Sequence, residues 1–148
     1  MSGMPPGVAV IVDTNVVVAG LLTANDTSPV ARILDGMLAA AFPFVLSAAL
    51  LAEYRTVLVR PKLRKLHGLN VGEVETILTD LAQNAIVLDP PPSTARPAPD
   101  PGDQLLWDLL AARDDLLLVT GDKRLLEDAV MGVRVFSPQV FVAGYAPR

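Results

Sequence analysis

Short apolar runs rich in β-branched residues recur along the chain, and stretches with helical periodicity separate them. The runs predict strands at residues 8–12, 44–46, 85–88, 116–119 and 133–136. The stretches between them predict helices at residues 28–41, 47–60, 71–83, 102–113 and 122–129, with a last turn or helix from 138. Short continuous apolar runs suit strands that are covered on both faces. The alternation therefore predicts an α/β fold, a three-layer α/β/α sandwich around a central parallel sheet of four to five strands.

Capping residues and prolines set several of these boundaries. Ser28 precedes Pro29, a residue that suits the first turn of a helix, and Ser47 is placed to cap the next helix. Pro61 is expected to stop that second helix, because a proline disfavours helical backbone in the residue before it.

The chain of 148 residues is long enough for one domain with a sizeable core. Hydrophobic residues make up 51% of it, enough to offset the entropy lost on folding. We therefore expect a single domain over residues 1–148, with about the first six residues disordered. Residues 89–100 form a proline-rich loop, for which a functional role and a simple spacer are equally open.

The composition excludes several kinds of site. The chain has no cysteine, which rules out disulfides and cysteine-ligated zinc and suits a reducing, cytoplasmic compartment. We expect no signal peptide and no membrane-spanning segment. The single histidine, His67, lies in a basic stretch that does not suit a serine-type triad, and no Walker A or GxGxxG pattern occurs. Trp107 belongs to an apolar helical stripe and is expected to pack in the core.

The formal net charge of −4 argues against a general nucleic-acid binder, so the distribution of charge matters more than its sum. Aspartate outnumbers glutamate, 12 to 4. Short Asp side chains at strand and helix ends suit the coordination of hard cations, and they suit turns and helix caps equally well.

Two of the predicted strands end in acidic residues. Asp13 follows the first strand in IVDTN, and Asp122 follows residues 116–119 in LLLVTGD. Ligands bind outside the carboxyl ends of parallel strands, so these two carboxylates should converge if their strands are neighbours. Asp103, at the start of a helix, and Glu53, on the flank of an apolar helical stripe, are placed to join them.

Each of these acids also has a purely structural alternative. Asp103 and Asp122 are natural N-caps for the helices that follow them. Glu53 could instead pair with a base such as Arg55 or Arg60. The acid after the first strand could close an Asx turn with the two residues that follow it.

Four sequence strings, in this order, resemble the PIN-domain family: IVDTNVVVAGLL, LSAALLAEYRTVL, DPGDQLLWDLLAA and LLLVTGDKRLL. The resemblance extends from about residue 8 to 142 and is to the bacterial branch of VapC-like toxins of type II toxin–antitoxin pairs. It implies a parallel sheet in which the two acid-bearing strands are adjacent. It also implies a metal-dependent endoribonuclease that hydrolyses RNA phosphodiester bonds, whose four acids correspond to Asp13, Glu53, Asp103 and Asp122.

The resemblance assigns supporting roles to three further residues. Asn15 matches the polar residue beside the first acid, and Thr120 matches the small hydroxyl residue before the last. Asp100 is a common companion of Asp103 in this branch of the family. These residues are expected to support the acids.

Phosphodiester hydrolysis explains why several acids would be needed together. Carboxylates that lie close together repel one another, and Mg²⁺ or Mn²⁺ relieves that repulsion. Such an ion takes hard oxygen ligands and keeps several waters, one of which can attack the phosphate. We expect Asp13 and Asp122 to ligate the ion directly. Asp103 and Glu53 would complete the shell, hold a second ion or orient the water.

RNA also requires positive charge near the cleavage site. Basic residues cluster between Arg55 and His67, a run that includes Arg64, and two more follow Asp122. The candidates for phosphate contacts are Arg60, Lys62, Lys123 and Arg124. For Lys65 and His67, a solvated helix end whose bases complement the helix dipole is the favoured alternative.

Two other functions compete with this interpretation. A non-catalytic PIN-like module would bind RNA or a protein without cutting and should lack one or more acids, whereas this chain keeps all four. A phosphatase of the haloacid dehalogenase type would use Asp13 as nucleophile, but it expects a second Asp where Asn15 stands. The toxin interpretation implies an antitoxin protein that blocks the acidic edge, together with a homodimer.

Overall fold

The computed structural model describes residues 8–91, 97–128 and 130–144, so the expected disorder of the first six residues lies outside it, as does part of the proline-rich loop. The strands are β1 (Ala9–Val12), β2 (Val45–Leu46), β3 (Ile86–Val87), β4 (Leu116–Val119) and β5 (Val135–Phe136). The helices are α1 (Thr14–Leu22), α2 (Pro29–Leu38), α3 (Ala48–Leu58), α4 (Pro61–His67), α5 (Val71–Asn84), α6 (Gln104–Ala112), α7 (Lys123–Leu126) and α8 (Pro138–Gly144). Short 3-10 turns at Pro101–Asp103 and Met131–Arg134 precede α6 and β5.

The strands pair in parallel throughout the described ranges. β4 lies between β1 and β5, while β2 pairs with β3 in a separate two-stranded sheet. A single bridge between Val10 and Phe44 joins the two sheets, and the Val10 N–H donates to the Pro43 carbonyl at 3.2 Å. The strand order is therefore β3-β2-β1-β4-β5. The predicted α/β fold is confirmed, with five parallel strands of which three form the regular central sheet.

The core surrounds β1, whose four residues are all buried. Trp107 is 1% exposed, which confirms that it packs in the core. The apolar face of α5 is core as well, because Val74, Leu78 and Leu81 are buried there. Within the described residues, none of the helices combines the length and the apolar character that a membrane span would need.

Serine caps start two helices where the sequence predicts them. The Ser28 hydroxyl accepts from the Ala31 N–H at 3.3 Å, and Ser47 accepts from Leu50 at 3.0 Å. Several other predicted elements are longer than the observed ones. The helix that follows Ser28 ends at Leu38, and the strands predicted at 85–88 and 133–136 are observed only at Ile86–Val87 and Val135–Phe136. The helix predicted to run to residue 129 ends at Leu126, and residue 129 itself lies outside the described ranges.

Two helices are absent from the sequence prediction. α1 begins directly after Asp13, and its sequence TNVVVAGLL lacks the polar face by which a surface helix is recognised. Pro61 was expected only to stop a helix. α3 instead ends at Leu58, and Pro61 opens α4, because proline also suits the first helical position.

Candidate active site

The two central strands place Asp13 and Thr120 side by side. Val12 of β1 pairs with Val119 of β4, and the Asp13 N–H donates to the Val119 carbonyl at 2.9 Å. The Thr120 hydroxyl donates to Asp13 Oδ2 at 2.7 Å. The predicted adjacency of the two acid-bearing strands is therefore confirmed.

A cleft of about 450 Å³ opens at this edge of the sheet. Four of the residues that line it are the acids Asp13, Glu53, Asp103 and Asp122. Thr14 and Asn15 also border the cleft, and its remaining lining residues are aliphatic, namely Val18, Ala19, Leu22 and Val57. The structure thus brings the four predicted acids, which come from four separate segments of the chain, to one concave surface.

Asp13 is the most buried of the four acids, with 6% of the residue exposed. The pKa of its carboxyl group is raised from 3.8 to about 6, chiefly by burial and to a lesser extent by the negative charges of Asp103 and Glu53, against the hydrogen bond from Thr120. Within the described structure its side chain makes no capping bond to α1, so the alternative of an Asx turn is not supported.

Glu53 is half-buried and held by a hydroxyl group rather than by a base. The Thr14 hydroxyl donates to Glu53 Oε2. Arg55 pairs instead with Glu75, with 2.7 Å between Arg55 Nε and Glu75 Oε1. In the part of the chain that the structure describes, neither Arg55 nor Arg60 pairs with Glu53, so that alternative is wrong.

The two helix-start acids differ in how they are used. Asp103 makes no capping bond to α6 within the described residues, so the N-cap alternative does not hold for it. Burial raises its pKa, as do the charges of Asp122, Asp100 and Glu53, while Arg124 lowers it. Asp122 does cap its helix, because Asp122 Oδ1 accepts from the Arg124 N–H at 2.9 Å. Its other oxygen, Oδ2, is not used by this cap.

Asn15 and Thr120 connect the first acid to the last. Asn15 Nδ2 donates to Asp13 Oδ2 at 3.3 Å, while Asn15 Oδ1 accepts from the Gly121 N–H at 3.2 Å. Thr120 Oγ1 accepts from the Asp122 N–H at 3.0 Å and donates to Asp13. Both residues therefore bond the Asp13 carboxylate, and Thr120 also bonds the backbone of Asp122.

Thr14 and Tyr54 hold the site together without having been predicted from the sequence. The buried Tyr54 hydroxyl donates to the Val12 carbonyl, which ties α3 to the end of β1. A tyrosine in a buried stripe normally needs a partner for its hydroxyl, and this was the available signal. Thr14 directly follows Asp13, but its partner Glu53 lies 39 positions away and no local pattern identifies it.

The predicted basic residues divide into two groups. Arg64 Nε donates to the Val59 carbonyl at 3.1 Å, and His67 Nε2 lies 2.9 Å from the Leu58 carbonyl. Both side chains thus contact carbonyl groups at the C-terminal end of α3, which supports the helix-end alternative for His67. Other bases of this run and of α7 are exposed: Arg60, Lys62, Lys65, Lys123 and Arg124.

Arg124 borders the acids from the side of α7. Its Nη2 lies 3.5 Å from Asp100 Oδ2 and 3.6 Å from Asp122 Oδ2. Asp100 Oδ1 accepts from the Gly102 N–H at 2.8 Å, which caps the 3-10 turn before α6. Asp100 therefore lies beside the cleft and raises the pKa of Asp103 from there.

The donor chemistry of the cleft suits a hard divalent cation. Among the described residues, no three acidic or histidine side chains are grouped closely enough to hold a metal ion between them. Mg²⁺ usually keeps several waters and is bound through one or two carboxylates together with the phosphates of its substrate. A buried Asp13 that shares its cleft with three other acids therefore fits such an ion, whereas a preformed cage of protein ligands is absent from the described part of the chain.

These features define a class of protein: an α/β domain whose parallel sheet presents several carboxylates in a cleft at its carboxyl edge, as metal-assisted hydrolases do. A family model described as PIN domain matches residues 9–124, a segment that contains all four acids. The chain belongs to the PIN-domain family. PIN domains are generally metal-dependent nucleases, which supports a nuclease and sets the dehalogenase alternative aside. A search of curated proteins returned no match.

Proposed function

We propose that this protein is a divalent-metal-dependent endoribonuclease that hydrolyses RNA phosphodiester bonds in the acidic cleft. The observation that carries the proposal is the set of four acids, from four segments of a PIN domain, that line this one cleft. The buried Asp13 supports it further, because a carboxylate kept where its ionisation is opposed has a use beyond packing.

The acids would have separate roles. Asp13, fixed by Thr120, and Asp122, through the oxygen that its cap leaves available, would hold the ion. When bound, Mg²⁺ or Mn²⁺ supplies neutralisation of the phosphate charge and activation of water. The raised pKa of Asp103 suits a proton acceptor at the cleft, and Thr14 keeps Glu53 oriented toward it.

Substrate binding would depend on groups around the acids. Arg60, Lys62, Lys123 and Arg124 are exposed and available for contacts with phosphates. The aliphatic part of the cleft, which includes Leu22 and Val57, offers an apolar surface for the sugar or base next to the scissile bond.

Conservative substitution of the acids tests this proposal. Asp13→Asn and Asp122→Asn keep the size of the side chain and remove its charge, so we expect each to lower the Mn²⁺-dependent cleavage rate on the order of 100-fold or more. The control is Asp80→Asn, which removes the same charge from an exposed position on α5. Cleavage of a labelled single-stranded RNA is followed with and without a chelator.

The outcomes separate the competing functions. Cleavage at the parent rate by either acid variant would contradict the assigned site. A parent protein that binds RNA and Mn²⁺ but never cuts would instead be the non-catalytic module.

We also propose that the protein acts as the toxin of a toxin–antitoxin pair and as a homodimer. The order of the four sequence strings supports the toxin role, and an acidic cleft suits inhibition by a cationic side chain of an antitoxin. Expression should arrest bacterial growth, co-expression of a short reading frame found next to the gene should relieve the arrest, and Asp13→Asn should abolish it. Light scattering should give twice the chain mass of 15.7 kDa. Arrest by the Asp13 variant, or a monomer mass, would contradict the respective part.

A further inference from the structure

Arg124 occupies a position between the acids and the solvent. Its Nη2 lies 3.5 Å from Asp100 Oδ2 and 3.6 Å from Asp122 Oδ2. Its own backbone N–H already binds Asp122 Oδ1. The guanidinium therefore faces the one Asp122 oxygen that the helix cap leaves available, which is also the oxygen open to a metal ion.

The contacts of this guanidinium are weak enough to be exchanged. The Arg124 side chain is 59% exposed, and both distances exceed those of a good charge-assisted hydrogen bond. An exposed ion pair of this kind contributes little, because water and salt screen it. Because Arg124 is only two residues from Asp122, however, its positive charge stays near the acids wherever the side chain moves.

We propose that Arg124 partly offsets the negative charge of Asp100 and Asp122 in the metal-free protein and is released to an RNA phosphate when a divalent ion binds. This inference rests on the proposed nuclease function and adds a residue-level order of events to it. It has two consequences of opposite sign. Arg124 weakens the affinity of the site for the ion, and it strengthens the affinity for RNA once the ion is bound.

Metal binding without RNA gives the first test. Mn²⁺ is titrated into chelator-treated protein by calorimetry at low ionic strength, with folding checked by circular dichroism. Arg124→Gln should bind Mn²⁺ about two- to fivefold more tightly than the parent, the range that an exposed ion pair provides. Arg124→Lys keeps the charge and should stay within about twofold of the parent. A variant that is only partly folded is not expected to bind Mn²⁺ more tightly than the parent.

The control separates this local effect from net charge. Arg32→Gln removes the same charge from an exposed position on α2, and Arg32 is not among the residues that line the acidic cleft. Its Mn²⁺ affinity should equal that of the parent. If Arg32→Gln and Arg124→Gln tightened binding equally, the specific role of Arg124 would be overturned.

RNA binding gives the second readout. In Ca²⁺, with the RNA shown to remain intact, Arg124→Gln should bind a short single-stranded RNA several-fold more weakly than the parent. Unchanged or weaker Mn²⁺ affinity in Arg124→Gln, or unchanged RNA affinity, would overturn the role of Arg124 and leave the nuclease proposal standing. A parent protein that binds no Mn²⁺ would overturn both.

Discussion

The Asp13 carboxylate, 6% exposed, is buried in the folded protein, and this burial opposes its ionisation more than the hydrogen bond from Thr120 favours it. Its pKa of about 6 compares with an ordinary value of 3.8, and each unit of difference corresponds to about 1.36 kcal/mol. Folding with Asp13 ionised therefore costs about 3 kcal/mol at pH 7. That is a large part of the 5–15 kcal/mol by which a typical domain is stable.

Asp13→Asn should therefore stabilise the metal-free protein, although it removes a proposed ligand. A raised folded-state pKa means that stability is lost as pH rises from about 3.8 through about 6, and the neutral amide is exempt from that loss. The variant should be up to about 3 kcal/mol more stable at pH 7 and about half that at pH 5. Urea unfolding in the presence of a chelator measures the difference at both values.

The exposed control Asp80→Asn should show no such gain at either pH. A gain for Asp13→Asn that did not shrink at lower pH would show that a change in packing, and not the charge, is responsible.

Among the site residues, those that come directly after a strand could be predicted from the sequence. Asp13 and Thr120 follow directly from β1 and β4, and parallel pairing places them together. The partner of Glu53 could not be predicted, because Thr14 reaches it only through the packing of α1 against α3. The pairing of Arg124 with Asp100 depends in the same way on how the turn before α6 approaches α7.

Among the elements, the central strands were predictable and the helices around the cleft were less so. β4 is found at the predicted residues, since a buried parallel strand reads as a continuous apolar run. α1 escapes detection because its apolar residues lie both in the core, at Val16 and Val17, and along the cleft, at Val18 and Leu22, so its sequence shows no regular polar face. α1 packs closely against α2 at Gly20.

Gly20→Ala should destabilise the protein even though alanine is the better helix former. An added Cβ would lie 2.8 Å from the Val30 carbonyl oxygen and 3.0 Å from the Leu34 Cβ, so α1 and α2 would have to separate. Overpacking costs about 1–3 kcal/mol, whereas the gain in helix propensity is about 1 kcal/mol. We expect a net loss of up to about 2 kcal/mol in urea unfolding. Gly144→Ala, whose Cβ would meet nothing within 4 Å, is the control, and equal stability of Gly20→Ala and the parent would contradict this packing.

For the whole molecule, the remaining problem is how a protein with net charge −4 would bind RNA. Four of the 16 acids line the cleft, and the exposed bases proposed to contact RNA are Arg60 and Lys62, which follow α3, and Lys123 and Arg124 in α7. Screening limits the reach of an exposed charge to about 10 Å at 0.1 M salt. A phosphate near either group of bases therefore interacts with the charges close to it more than with the net charge of the protein. The net charge is therefore a poor guide to whether this surface binds RNA.

The salt dependence of RNA binding should show how many phosphates the four proposed bases neutralise. For single strands, the slope of log K against log salt is about −0.7 for each phosphate neutralised, so four contacts predict a slope of about −3. Arg60→Gln and Lys62→Gln should each reduce its magnitude by about 0.7, while Arg32→Gln, on the exposed face of α2, should leave it unchanged. Fluorescence anisotropy at fixed Ca²⁺ concentration gives the slopes. A slope near zero for the parent would mean that RNA is held through the metal site alone, and equal slopes for Lys62→Gln and the parent would remove that residue from the interface.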